Sequence, residues 1–230
     1  MYSWKINGQE EMTQQWFWYS VNSGAPQSIN TLGAPIVSQP AANILDLTYA
    51  GLGFNIKIDY TLTGNPTGSY VADMGESYSI INTSLTSPLN MAFYKYTDFN
   101  LQNGQGGPNS VSITKNGLGL YNDAIQTSAH MTAYSELGNV PGSQEAEANV
   151  EFNTLSKLNG ASPLLLDNVA NAGPGAVTSA FEWDRSIAPN TTVQMSTDDY
   201  IQSTVPEPSV LALIPAGLAL LALGKRRLRA

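Results

Sequence analysis

Cysteine is missing from the chain and histidine appears once, at His130. No disulfide framework, zinc cluster or thiol nucleophile can therefore be built, and a Ser-His-Asp triad has one base to draw on. No G-x-S-x-G or H-E-x-x-H pattern surrounds a candidate nucleophile. Charge is sparse, at 12% of the 230 positions, and cations are the scarcer sign, ten Lys and Arg against eighteen Asp and Glu. Six of those cations precede Gly224 together with all eighteen acids, a net charge of −12, and the other four follow it. A basic patch, the usual footprint of nucleic-acid binding, is lacking, so no nucleic-acid partner is expected. Asp198, Asp199 and Asp184 offer oxygens of the kind calcium takes, but without D-x-D-x-D-G spacing. No metal and no cofactor is expected.

What is present, up to about residue 200, is a succession of short strand patterns. Residues 14–19 are dense in aromatics, and residues 23–39 read as a long loop around Gly24, Pro26, Gly33 and Pro35. Residues 44–49 form a strand candidate, and residues 54–62 alternate apolar and polar in strict period two, the mark of a half-buried strand. Residues 78–82, 89–101 and 111–114 continue the rhythm. The Asn116-Gly117 pair then signals a hairpin. Later candidates are 127–136, 145–158, 180–183 and 191–195; Glu- and Ala-rich residues 144–151 also suit a helical turn. Nine or ten strands separated by Gly, Pro, Asn and Ser, with no repeat, predict a mainly β fold. The expectation is a single jelly-roll-like β-sandwich over residues 14–200, preceded by an N-terminal segment, 1–13, and followed by a linker, 201–209.

The tail breaks this pattern. Residues 210–224 hold no charged or hydrogen-bonding side chain, with Val210, Leu211, Leu213, Ile214, Leu218, Leu220, Leu221 and Leu223 the bulk of the run. As a helix the run spans roughly 22 Å, short of a hydrocarbon core of about 30 Å, so crossing a membrane needs thinning or snorkelling. Pro215 removes one helical hydrogen bond, which suits a transient span better than a lasting one. The basic stop-transfer cluster Lys225, Arg226, Arg227 and Arg229 in residues 225–230 keeps the tail cytoplasmic and places the rest outside. A short C-terminal hydrophobic transmembrane helix is expected.

Pro206, Glu207 and Pro208, then the apolar segment and the Arg-rich end, resemble the PEP-CTERM sorting domain of bacterial surface proteins. The resemblance covers roughly the last 25 residues. It implies that the tripeptide is read and processed by exosortase, an integral-membrane cysteine enzyme of bacteria that make exopolysaccharide. The prolines agree physically, since they favour an extended backbone that an enzyme grips without ordering it first. The Tyr96-x-Asp98-Phe99-x-Leu101 stretch is also similar to a pattern of that family. The implied route is export, transient residence in the inner membrane, then the cell surface or extracellular matrix. Residues 1–11 show no apolar run of signal-peptide length, so a signal is expected upstream of Met1.

For the outer domain two readings stand. The first is a non-enzymatic surface or matrix protein associated with exopolysaccharide. The alternative is a sandwich-type carbohydrate-active enzyme or carbohydrate-binding protein with the same tail. An enzyme of that type needs two placed carboxylates, and Glu76, Asp98, Glu182 and Asp184 lie near aromatics on expected strands. Trp16, Trp18, Tyr94, Tyr96, Phe99 and Trp183 are candidates for a sugar-stacking platform, although such residues more often fill a core.

Overall fold

In the computed structural model the described residues are 3–66, 69, 71–101, 107–138 and 142–203. The chain runs through β1 (Trp4–Ile6), β2 (Gln9–Val21), β3 (Gln27–Ser28), a 3-10 turn (Ile29–Leu32), β4 (Ile36–Ala41), β5 (Ile44–Gly51), β6 (Phe54–Gly64) and β7 (Val71–Asn82). It continues with β8 (Leu89–Phe99), β9 (Asn109–Lys115), β10 (Tyr121–Thr127), β11 (Met131–Leu137) and β12 (Glu145–Val150). Then follow a helix, α1 (Asn153–Leu158), and the strands β13 (Asn171–Gly175), β14 (Val177–Ile187) and β15 (Thr192–Ser203).

The strands form two antiparallel sheets. The smaller is ordered β1-β2-β8-β14-β12 with β3 beside β2, and the larger β13-β9-β10-β11-β15-β7-β6-β5-β4. The larger sheet is two meanders, β4 to β7 and β9 to β11, joined by the late strand β15 inserted between them. The mainly β sandwich is therefore as expected. Six and nine strands exceed an eight-stranded jelly roll, which corrects that detail. β1 and the first part of β2 fall within residues 1–13, and part of β15 falls within residues 201–209.

Period-two patterning orients most strands. In β7, Ala72, Met74, Glu76, Tyr78 and Ile80 turn inward, and in β6 Phe54, Ile56 and Ile58 do so, as residues 54–62 predict. The Asn116-Gly117 hairpin also forms, joining β9 to β10. Its left-handed residue is Gly119 (φ 78), and the Asn116 side-chain oxygen accepts the Leu118 and Leu120 N–H groups. One expectation fails: the loop at 23–39 contains β3 and the start of β4. Of the two readings open over 144–151, the strand forms, as β12, because Ala146 and Ala148 face the core while Glu145 and Glu147 face away; a helix comes later, at Asn153.

Three apolar clusters fill the molecule. The largest lies between the sheets around Phe17, Tyr78, Phe93 and Trp183. A second, around Met12, Met74, Phe99 and Ile201, fills the same interface at its other end. The third lies on the outer face of the smaller sheet, where Leu158 and Leu166 pack on Trp18, Tyr94, Tyr96 and Ala180. This third layer explains why β8 and β14 are buried on both faces. The expected hydrophobic helix at 210–224 lies outside the described residues. Among the described residues no helix is long and apolar enough to cross a membrane.

Candidate functional site

On β14, Phe181 and Trp183 join the inter-sheet core, so Ala180, Glu182 and Asp184 point to the opposite face. Antiparallel register sets Trp18, Tyr94, Glu182 and Glu145 in one row across the sheet, and Ser20, Ala92 and Asp184 in the next. Ala92 is the smallest side chain of its row, so the surface sinks between Ser20 and Asp184. The segment bearing Leu164 and Leu165 walls the hollow, giving a cleft of about 650 Å³.

The cover is pinned by charge as well as by packing. Lys157 of α1 donates to both Glu147 oxygens at 2.8 and 2.7 Å and to Asp167 at 2.6 Å. Thr154 adds a 2.6 Å bond to Glu147. Trp18 donates its indole N–H to Asn159 at 3.1 Å and meets Tyr96 edge-on at 6.1 Å.

Within the cleft Glu182 is buried and Asp184 exposed. Glu182 Oε2 accepts the Leu166 N–H at 2.8 Å, whereas Oε1 has no hydrogen-bond partner. The Tyr94 hydroxyl donates to the Leu164 carbonyl at 3.0 Å and lies beside the Glu182 carboxyl. Burial pushes Glu182 up to about 7; the Leu166 N–H opposes the rise and the charges of Asp184 and Glu145 add to it. Burial also raises Asp184, with Glu145 adding to the rise and Arg185 opposing it. The Arg185 guanidinium spends its hydrogen bonds on backbone carbonyls, Asp184 at 2.8 Å and Gly142 at 3.2 Å. The cleft thus holds one carboxyl whose titration is moved up to about 7 and a second at its rim.

Of the four carboxylates singled out from sequence, Glu182 and Asp184 come together and the other two do not. Glu76 is buried between the sheets. Asp98 sits four residues from Tyr94 on β8, raised by burial to about 6. Of the stacking candidates, Phe99 and Trp183 belong to the inter-sheet core, while Trp16, Trp18, Tyr94 and Tyr96 lie on the outer face under α1 and its loop. Asp198 and Asp199 neighbour each other on β15 and so face opposite ways, and Asp184 is on the other sheet. His130 is exposed in the turn between β10 and β11, which builds no triad with the cleft. The sorting tripeptide, the apolar run and the basic cluster all lie outside the described residues. Sequence reasoning missed Glu145 and Tyr94 as neighbours of Glu182; only strand register reveals them.

No protein family and no curated protein matches the sequence. The fold, however, is shared. A bacterial glucoamylase solved with acarbose superposes with TM-score 0.59 at 12% identity, over 93% of this chain and 30% of that one. A polysaccharide lyase matches with TM-score 0.46 at 13% identity, over 86% of this chain and 26% of that one. The chain spans under a third of either protein. The glucoamylase is an enzyme, which corrects the expectation of a non-enzymatic protein.

Proposed function

We propose that the chain is a carbohydrate-active protein of the sandwich type, taking a sugar unit in the cleft between Ser20 and Asp184. The observation that carries this reading is the pairing of a buried Glu182 with a rim carboxylate, Asp184, on one strand face. A general acid must hold its proton at working pH, and a value of about 7 meets that need. The pair stands two residues apart on one strand face, and both residues line the cleft. Glu182 protonates the glycosidic oxygen, and Asp184 draws the proton from the attacking water. Ser20 and Asn90 offer polar atoms to sugar hydroxyls along the wall. The fold shared with the glucoamylase supports the substrate class.

The same reading retains the sorting tail. Export followed by exosortase processing at Pro206-Glu207-Pro208 places the cleft among extracellular polysaccharide, with the membrane engaged through residues 210–224 only until processing. The test is hydrolysis and binding of α- and β-glucans and of the host's exopolysaccharide. Glu182→Gln is expected to lower turnover by about 10²–10⁴-fold while leaving binding in place. Absence of both turnover and binding across these glycans overturns the reading.

A further inference from the structure

A polar layer crosses the sandwich between its two inter-sheet clusters. On each of five strands one end of the inward face is apolar, the other end is apolar, and the middle is polar. The polar positions are Gln15, Glu76, Lys95, Ser135, and Thr197 with Asp199. Lys95, Glu76 and Asp199 have side chains with no solvent exposure. Lys95 Nζ is 2.9 and 2.8 Å from the two Asp199 oxygens. The two contacts hold the amine nitrogen against the Asp199 carboxyl group. The Asp199 oxygens are each held by a further donor, Ser135 at 2.6 Å and Gln15 at 2.8 Å. Glu76 Oε2 lies 3.0 Å from Lys95 Nζ, and Glu76 Oε1 is buried without a hydrogen-bond partner.

We infer that Lys95 and Asp199 condense to an intramolecular amide across the two sheets, with Glu76 as the proton carrier. An amine and a carboxyl held in contact and shielded from solvent are poised for this step. The reacting form is the neutral amine, the protonated Glu76 and the protonated Asp199 carboxyl, whose proton comes from bulk water. Lys95 passes its extra proton to Glu76 across the 3.0 Å contact. The amine lone pair forms the N–Cγ bond, and the carbonyl π pair moves to oxygen, where Ser135 or Gln15 donates to it. One Glu76 oxygen accepts the proton that nitrogen sheds, and its carboxyl hydrogen goes to the departing hydroxyl. The Cγ–O bond breaks, the π bond re-forms, and one water is lost with no change of oxidation state. Burial raises the Asp199 carboxyl to about 6, against the pull of Lys95, which eases its protonation. The bond ties β8, the middle strand of one sheet, to β15, the middle strand of the other.

Peptide mapping of the folded full chain by mass spectrometry tests this directly. The expected result is one branched peptide joining the Lys95 and Asp199 segments, lighter by one water than the two segments together. It is expected to be absent from Glu76→Gln and from Lys95→Arg. Separate, unmodified Lys95 and Asp199 peptides in the folded wild type overturn the proposal whatever the variants do. A joined peptide that persists in a folded Glu76→Gln overturns the role given to Glu76. A Glu76→Gln chain that fails to fold leaves the wild-type map and Lys95→Arg to decide.

Discussion

The inter-sheet layer and the outer cleft are made of the same parts, carboxylates on inward or outward strand faces beside aromatic rings, and they end in opposite states. In the layer, Glu76 and Asp199 share the ammonium of Lys95 at 3.0 and 2.8 Å. In the cleft, Glu182 and Asp184 make no ion pair among the described residues, and Arg185 turns to backbone carbonyls instead. A cation inside the layer holds charge in a place without water. Its absence from the cleft leaves desolvation unopposed and drives Glu182 toward the protonated form. One lysine therefore separates two acids held against a cation from two acids left to desolvation.

The comparison breaks most sharply at that lysine. Lys95→Met removes the counter-charge that Glu76 and Asp199 share and, with it, the inferred tie between β8 and β15, and is expected to destabilise by about 3–5 kcal/mol in denaturant unfolding. Adding Glu76→Gln and Asp199→Asn to the same chain is expected to recover much of that loss, because the stranded charges are removed. If Lys95→Met alone were neutral, charge balance would not be what holds the layer.

The cleft responds through its cover. Trp18→Ala opens a cavity under Leu158 and Leu166 and is expected to cost about 3 kcal/mol, the low end for a buried Trp, since the surrounding loop can settle inward. Its measure is the unfolding midpoint, with glycan binding read in parallel.

Titration separates the regions next. An acid whose folded pKa is raised binds more protons in the folded state, so stability falls as pH climbs from its ordinary value to its folded one. For Glu182 that window runs from about 4.5 to about 7. Tm is expected to fall by roughly 6–12 °C across it, the shift for about 3 kcal/mol in a chain of this size. Glu182→Gln flattens that slope; a slope unchanged in the variant assigns it elsewhere. The smallest effect is expected from Asn159→Ala, about 1 kcal/mol, through loss of the acceptor for the Trp18 indole.

Much of the framework was legible before any coordinates. Residues 54–62 alternate strictly and form β6, and Asn116-Gly117 marks a real hairpin, because both signals are local. β4 was hidden for the same reason. It is an exposed edge strand carrying Pro40, with no buried face to write a pattern into the sequence. The i, i+2 spacing of Glu182 and Asp184 placed both carboxylates on one face. What no spacing shows is that Ala92 lies between Ser20 and Asp184, or that Glu145 lies opposite Glu182. Lys95 is a lone cation in an aromatic strand, and its partners stand 19 and 104 positions away, where no local pattern points to them.

β15 is the last described strand, and the route to Pro206 leaves from its end. A pull along that strand is resisted by eleven paired positions with β7 and seven with β11. Those pairs lie parallel to the load and must slide together, instead of opening one at a time. Asp199 stands near the loaded end of this seam, and through Lys95 it passes tension into β8 before most of the seam is strained. Traction applied at the end of β15 is therefore shared between both sheets.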